Sequence, residues 1–223
     1  MNARIAHYLS ANSRKISSSG NWEKLRFVCI DSESTGFDPL KDRLVSLAGL
    51  GLMDGAIDLA DQFSVIMPVS HNTSAVTVHG ITREAAASGV EEPEALRSFL
   101  AWLGNGILVG HHVRHDLVLL NQACLRHFSL VLCNIALDTL EAYRLLRQAG
   151  GFPGHQGLST ETLDDLCQRF QIVPHDRHTA LGDAFLTAHL LLRILKESAR
   201  FQLWNLQDLG AFRADASGPE AGA

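Results

Sequence analysis

The stretch FVCIDSESTGFDP, Phe27 to Pro39, begins as an apolar strand and then presents two acids, Asp31 and Glu33, beside hydroxyl-bearing residues and a glycine. Side chains two residues apart in a strand share a face and lie about 6.6 Å apart along it, so both carboxylates point the same way. Carboxylates that converge in apolar surroundings repel each other and lose hydration, so they retain a proton or bind a cation. A simpler interpretation stays open for this stretch alone, in which both acids cap a solvated strand end.

Two more acids stand where helices are predicted to begin. Asp116, in VGHHVRHD, is expected in the first turn of a helix that follows the buried strand GILVG. Asp183, in HTALGD, is expected in the opening turns of a helix capped by Thr179. For Asp116 a simple partnership with the helix dipole is the alternative. His178 is expected in the loop before the last helix, where a histidine can also be merely solvated and have no role in the chemistry.

Taken together, the four acids favour metal chemistry. Hard oxygen ligands suit Mg²⁺ or Mn²⁺ rather than Zn²⁺, and two divalent ions would balance the four negative charges. Two ions about 3.5–4 Å apart can stabilise the attacking and the leaving oxygens of an in-line phosphoryl displacement. A histidine such as His178, whose reference pKa is about 6.5, could then take the proton from the attacking water.

Three motifs, in this order, resemble those of the DEDDh family of 3′→5′ exonucleases, which includes the proofreading (epsilon) subunit of bacterial DNA polymerase III. They are DSESTG (31–36), GHHVRHD (110–116) and HTALGD (178–183). The H-x-x-x-x-D spacing of the third separates this branch from the tyrosine-bearing one. The resemblance covers about residues 25–197, and VHGIT (78–82) looks like the family's substrate-side loop. It implies an RNase H-like fold, two Mg²⁺ or Mn²⁺ ions per site, and release of nucleoside 5′-monophosphates from a 3′ end.

The resemblance also implies roles for individual residues. Asp31, Glu33 and Asp183 would hold the ion that activates water, and Asp31 would also reach the second ion. Asp116 would support that second ion, and His178 would be the general base. The residues expected to bind substrate are Ser34, Thr35, Gly36, His79 and His111.

The motifs depart from the usual family pattern at a few positions. Ser34 stands where a second threonine is common, and His112 and His115 stand where an asparagine and an aromatic residue are frequent. Every presumed metal ligand is in place, so these changes bear on substrate preference, for DNA or for RNA, rather than on the chemistry. Phe37 is a candidate for stacking on a base, with a core or hairpin role as the alternative.

The apolar pattern predicts an α/β fold. RFVCID (26–31), DRLVSLAGLGL (42–52) and DQFSVIMPV (61–69) are predicted strands of an antiparallel meander, with Asp54-Gly55 as a hairpin turn. From residue 93 onward, helices with one apolar face alternate with the short buried strand GILVG. We therefore expect a mixed sheet, a meander followed by β-α units, flanked by helices. The buried face of the last helix is predicted to consist of Leu181, Phe185, Ala188, Leu192 and Leu195.

The composition limits the class of protein and its partners. Of 223 residues, 46% are hydrophobic and 19% charged, and no apolar run approaches the roughly 20 residues of a membrane-spanning helix. The net charge of −5 argues against a protein that coats long nucleic-acid duplexes. It does not argue against an enzyme that binds the end of one strand. The four cysteines form no CxxC pair, which suits a reducing cytoplasm. We expect single-stranded nucleic acid 3′ ends and a DNA polymerase as partners, and no membrane.

Length and composition also predict the division of the chain. We expect an N-terminal helix and polar linker at 1–24, an exonuclease domain at 25–200, and a C-terminal segment with a disordered tail at 201–223.

Two alternative functions are weighed against the exonuclease. The His-Asp pairs in HHVRHD and HDRH also occur in HD-type metal phosphohydrolases, but those proteins are all-helical and would leave Asp31 and Glu33 unexplained. A non-catalytic polymerase accessory module with an exonuclease fold would have no need to keep costly buried like charges.

Overall fold

The structure is a computed structural model, and it describes residues 2–13, 22–36, 38, 40–70, 74–154 and 161–216. Phe37, most of the predicted polar linker and most of the predicted disordered tail lie outside these residues. The proposed division into an exonuclease domain and two terminal segments stays a prediction.

A mixed sheet of six strands forms the centre of the described chain. The strands are β1 (Phe27–Ser34), β2 (Leu44–Met53), β3 (Ala56–Ile66), β4 (Ile107–Gly110), β5 (Ile135–Asp138) and β6 (Phe212–Arg213). Their spatial order is β3-β2-β1-β4-β5-β6. The first three strands pair antiparallel, β1, β4 and β5 pair parallel, and β6 is antiparallel to β5. The predicted fold class, a meander followed by β-α units, is confirmed.

Helices cover both faces of this sheet. They are α1 (Ala3–Asn12), α2 (Val76–His79), α3 (Arg83–Ala86), α4 (Glu92–Leu103), α5 (Arg114–Phe128), α6 (Thr139–Gln148), α7 (Leu163–Arg169) and α8 (Ala180–Arg200). Within the described residues, none of these helices is both long and apolar enough to cross a membrane. The mixed sheet rules out the all-helical HD-type alternative.

Alternate residues of β1 enter two different hydrophobic cores. Phe27 and Cys29 belong to the core that contains the buried residues of α6, α7 and α8. Val28 and Ile30 belong to the core that contains those of α4 and α5. Because strand side chains alternate between faces, each residue that follows in β1 is directed toward one of these two helical layers.

The predicted hairpin between the second and third strands is confirmed, but the third strand begins earlier than expected. Met53 pairs with Ala56 across Asp54 and Gly55, whose φ values of 54° and 72° suit a type I′ turn. Strand β3 begins at Ala56 instead of residue 61, because a register shift between Leu50 and Gly51 lets its first residues pair. Those first residues are mostly exposed, so they lack the alternation that marks a half-buried strand.

The predicted buried face of the last helix is wrong in part. Leu181 is 36% exposed, and Phe185 and Leu192 are only partly buried. The helix α8 packs against β1, β2 and α6, which buries a wider and rotated surface. Its fully buried hydrophobic residues are Ala184, Leu186, Ala188, Leu190, Leu191, Ile194 and Leu195.

Candidate active site

Strand β1 separates its polar end into two sets of side chains. Asp31 and Glu33 continue the face of Phe27 and Cys29, which packs toward α8. Ser32 continues the opposite face, which packs toward α5. Because strand side chains alternate between faces, Asp31 and Glu33 lie on the side of α8 and Ser32 lies on the side of α5.

Three carboxylates from two distant segments meet at this end of the sheet. One oxygen from each of Asp31, Glu33 and Asp183 lies within 4.8 Å of the other two. Asp183 is in the first turn of α8, where the Thr179 hydroxyl caps the helix by accepting from the Gly182 N–H at 3.1 Å. The predicted cap and the predicted convergence of these acids are both observed. We call this group of three side chains the acidic cluster.

Asp116 lies beside the acidic cluster and is held by β1. It is 6% exposed in the first turn of α5, and its Oδ1 accepts a hydrogen bond from the Ser32 hydroxyl at 2.6 Å. Its charge acts on both Asp31 and Glu33, although it is not one of the three cluster residues. A role for Ser32 was not predicted from the sequence. The signal that was available is a hydroxyl residue between the two acids of the strand.

Burial, and then the crowding of negative charge, raises the pKa of the acids. Burial, and then the charges of Asp116, Asp183 and Glu33, hold the pKa of Asp31 well above its ordinary value. Burial and the same kind of repulsion raise the pKa of Glu33 to about 7. Burial also raises the pKa of Asp116 to about 7, against the hydrogen bonds from Ser32. Such a set binds protons or cations at neutral pH.

Arg177 supplies a positive charge to the site, and sequence reasoning missed it. Its guanidinium donates to Asp183 Oδ2 with one nitrogen and to both oxygens of Asp164 with two others, at 2.5 and 2.9 Å. This charge lowers the pKa of Asp31 and of Glu33, against the larger raising effects. Arg177 therefore links α7, which carries Asp164, to the acidic cluster.

His178 lies on the exposed loop before α8 and is not one of the residues of the acidic cluster. His178 helps to lower the pKa of Asp164, after the larger effect of the Arg177 hydrogen bonds. The backbone at Asp176 and His178 is left-handed, with φ of 50° and 63°, a conformation that costs about 1 kcal/mol or more at a non-glycine residue. Its predicted role as general base stays a prediction.

The residues after the acids form a tight loop with Asp42. The Thr35 hydroxyl donates to Asp42 Oδ1 at 2.7 Å, and the Ser34 hydroxyl donates to the Gly36 carbonyl at 2.6 Å. A Cβ on Gly36 would lie 2.6 Å from Asp42 Oδ2, so any side chain at this position would displace the Asp42 carboxylate. The predicted binding of substrate by Ser34, Thr35 and Gly36 stays a prediction.

One ring nitrogen of His79 has no hydrogen-bond partner within the part of the chain that the structure describes. Its Nδ1 accepts from the Ile81 N–H at 3.0 Å, which leaves the proton on Nε2. The side chain is buried, and Nε2 has no hydrogen-bond partner among the described residues. Burial also lowers the pKa of His79. A neutral ring with one unused donor is compatible with its predicted place beside the terminal nucleotide.

His111 instead uses both ring nitrogens inside the protein. Burial lowers its pKa to about 4, so the ring is neutral. Because a carbonyl can only accept, Nε2 donates to the Glu161 carbonyl at 3.1 Å, and Nδ1 lies 3.0 Å from the Thr139 hydroxyl. His111 thus ties the segment after β4 to the start of α6. Its predicted contact with substrate stays a prediction.

The donor set of the acidic cluster fits a divalent cation. All its ligand atoms are carboxylate oxygens, which hard cations prefer. One of the two oxygens of Asp183, Oδ1, is buried and has no hydrogen-bond partner among the described residues. A buried carboxylate oxygen without a partner is costly unless a cation satisfies it.

Comparison with known proteins agrees with this geometry. The family model described as "Exonuclease" (RNase_T) matches residues 28–191. The PolC-type DNA polymerase III of Latilactobacillus sakei is 30% identical over 190 residues, which is 84% of this chain but only 12% of that protein.

Solved structures share the fold at low identity. Exonuclease I of Escherichia coli in complex with a dT13 oligonucleotide superposes with a TM-score of 0.66 at 18% identity, over 80% of this chain and 43% of that one. The zinc-bound form of the same enzyme with single-stranded DNA gives a TM-score of 0.68 at 18% identity, over 82% of this chain and 42% of that one.

The fold and the acidic end of its sheet are thus those of a nuclease. The chain belongs to the RNase_T exonuclease family, which confirms the resemblance to the DEDDh exonucleases.

Proposed function

We propose that this protein is a 3′→5′ exonuclease that hydrolyses phosphodiester bonds at the 3′ end of DNA or RNA and releases nucleoside 5′-monophosphates. One observation carries the proposal. Carboxylates from β1 and α8, about 150 residues apart in the chain, place ligand atoms within 4.8 Å of one another. Together with the match to the exonuclease family, this arrangement favours phosphodiester hydrolysis over a binding role alone.

The acidic residues divide into two groups of ligands. Asp31, Glu33 and Asp183 would hold one Mg²⁺ or Mn²⁺ ion, while Asp31 and Asp116 would hold a second. Two such ions supply charge stabilisation at the attacking and leaving oxygens of the phosphoryl group. Ser32 keeps Asp116 directed toward that position through its 2.6 Å hydrogen bond.

The proton of the attacking water would pass to His178. The imidazole lies on the exposed loop that leads into α8, the helix whose first turn carries Asp183. The left-handed backbone at Asp176 and His178 supports a functional role for this loop, because strained backbone clusters at active sites and switch regions.

The terminal nucleotide would lie between the loop at 34–36 and His79. The unused Nε2 donor of His79 supports a hydrogen bond to substrate. The oligonucleotides in the exonuclease I complexes suggest that the substrate is single-stranded DNA. The polymerase relatives suggest that a DNA polymerase is a partner. The proposal includes a role in proofreading or repair, in the cytoplasm.

A degradation assay tests this function. A 5′-labelled single strand is incubated with the protein and Mg²⁺ or Mn²⁺, beside a 3′-blocked strand of the same sequence. The proposal predicts a ladder of shortened 5′-labelled products and free nucleoside 5′-monophosphates from the unblocked strand only. The same assay on matched DNA, RNA and mismatched duplex ends identifies the preferred substrate.

The variant Asp183→Asn serves as the inactive control. Loss of one ligand of a metal ion that contributes several kcal/mol to catalysis is expected to lower turnover about 10²–10³-fold. Degradation that is equally fast in Asp183→Asn would point to a contaminating nuclease. Inertness of the wild type with both ions on DNA and RNA would favour the accessory-module alternative.

A further inference from the structure

Arg177 shares its guanidinium between two carboxylates that belong to different helices. One nitrogen donates to Asp183 Oδ2, within the acidic cluster, while Nε and a second terminal nitrogen donate to Asp164 on α7. The Asp164 side chain is 55% exposed and that of Asp183 is 10% exposed. The same cation therefore has one partner inside the site and one at the surface.

A divalent ion bound at Asp183 and the guanidinium of Arg177 would repel each other, because both are positively charged. A unit charge a few ångströms from a doubly charged ion is repelled by several kcal/mol at the effective dielectric of a partly buried site. The repulsion falls when Arg177 leaves Asp183. Its bidentate pair with Asp164 does not involve Asp183, so the guanidinium can leave the cluster and keep two of its three contacts.

We propose that Arg177 competes with divalent ions for Asp183, and that an ion binds by displacing the guanidinium, which pivots on Asp164. This inference rests on the proposed metal-dependent function and adds to it a positioning residue outside the ligand set.

Metal titration of the full chain tests the competition. Mn²⁺ is titrated by calorimetry into metal-stripped wild type and into Arg177→Gln. Loss of one hydrogen bond between charged partners changes a binding constant by about 10- to 100-fold. Competition predicts that Arg177→Gln binds Mn²⁺ tighter by a factor in this range. Equal or weaker binding would overturn the inference, since weaker binding would mean that Arg177 helps Asp183 to hold the ion.

A matched variant controls for a general effect of charge. Arg200 is 69% exposed at the last residue of α8, about 25 Å from Asp183 along the helix. This separation exceeds the Debye length of about 8 Å at physiological ionic strength. Arg200→Gln removes the same charge and should leave the Mn²⁺ affinity within about twofold of wild type. A gain as large as that of Arg177→Gln would overturn the local explanation.

The pivot is tested by a double-mutant cycle. Asp164→Asn removes the second partner of Arg177, so the guanidinium stays on Asp183 and Mn²⁺ should bind about 3- to 10-fold weaker than in wild type. In the Arg177→Gln background the same substitution should change the affinity by less than about twofold. An equal effect of Asp164→Asn in both backgrounds would show that Asp164 acts by its own charge, and would overturn the pivot.

Thermal unfolding gives a second readout, because an ion that binds only the folded chain raises its unfolding temperature. Without metal, Arg177→Gln should unfold at a lower temperature than wild type, because the acidic cluster loses its counter-charge. With saturating Mn²⁺ the deficit should shrink, because the ion then replaces the counter-charge in both proteins and wild type keeps only the partly exposed pair with Asp164. A deficit as large at saturation as without metal would make Arg177 a structural residue and overturn the inference. A wild type that binds no Mn²⁺ would overturn the proposed function first, whereas equal binding by wild type and Arg177→Gln overturns this inference alone.

Discussion

Ser32 and Asp116, 84 residues apart in the chain, are joined by a hydrogen bond of 2.6 Å from the serine hydroxyl to the aspartate Oδ1. Ser32 lies between the two acids of β1 and faces the opposite helical layer. The strand thus positions the carboxylates of Asp31 and Glu33 directly and that of Asp116 through Ser32. Residues that orient a metal ligand contribute to affinity although they do not touch the ion.

The first prediction concerns this hydrogen bond. Ser32→Ala leaves a buried Asp116 oxygen without its donor, and we expect activity to fall about 10- to 100-fold. The Mn²⁺ concentration needed for half-maximal activity should rise. Ser32→Thr keeps the hydroxyl and should restore most of the activity. Failure of the threonine variant to do better than alanine would mean that Ser32 matters for packing alone.

The second prediction concerns the general base. His178→Ala should lower turnover about 10²–10⁴-fold, while Mn²⁺ affinity stays close to that of wild type because the ligand set is intact. The same loop provides a control, since His175 is exposed and precedes Asp176. His175→Ala should keep its activity. A His178→Ala enzyme with an unchanged rate would assign proton transfer to another group.

The third prediction concerns stability and pH without metal. Burial raises the pKa of Glu33 from 4.5 to about 7, so between these values the folded chain holds a proton that the unfolded chain has released. The free energy of unfolding therefore falls as pH rises through this window. Glu33→Gln cannot ionise, and with EDTA at pH 8 it should be more stable than wild type by about 1 kcal/mol, after allowing for solvent screening of a partly exposed group.

Denaturant unfolding of both proteins at pH 5 and pH 8 measures this difference. The two curves should nearly coincide at pH 5, where wild-type Glu33 is protonated in the folded chain. Saturating Mn²⁺ at pH 8 should reverse the order, because wild type binds the ion better. A Glu33→Gln protein that is less stable than wild type at pH 8 without metal would contradict the repulsion within the acidic cluster.

The fourth prediction concerns the loop that follows the acids. The Asp42 carboxylate that a Cβ on Gly36 would meet is already bonded to the Thr35 hydroxyl and to the Asp38 N–H. Gly36→Ala must therefore displace this loop. We expect KM for a single strand to rise about tenfold with a smaller change in kcat, as steady-state kinetics would show, because the acidic cluster keeps its geometry. Unchanged KM would exclude the loop from substrate binding.

Much of the site was predictable from sequence because its elements are local patterns. Period-two alternation placed Asp31 and Glu33 on one face, and the cap at Thr179 fixed Asp183 in the first turn of its helix. Ser32 and Arg177 were not predictable in this way. Their partners are set by which helix packs on which face of β1, and no local pattern encodes that packing.

The fold was predictable to a similar degree. The meander and its Asp54-Gly55 turn were correct, since the apolar periods and turn residues agree. The buried face of α8 was partly wrong because the helix is enclosed on several sides by the sheet and by α6, so a single stripe does not describe it. Strand β5 and helix α6 were not predicted. Both end residues of β5 are only partly buried and one of them is an acid, so β5 lacks the continuous apolar run that marked β4.

The central claim is that the carboxylates of β1, α5 and α8 bind divalent ions at one position. Anomalous diffraction from crystals grown with Mn²⁺ and a nucleoside 5′-monophosphate tests it most directly. We predict two manganese peaks about 3.5–4 Å apart, one coordinated by Asp31, Glu33 and Asp183 and the other by Asp31 beside Asp116. Well-ordered nucleotide with no manganese peak at these side chains would contradict the claim.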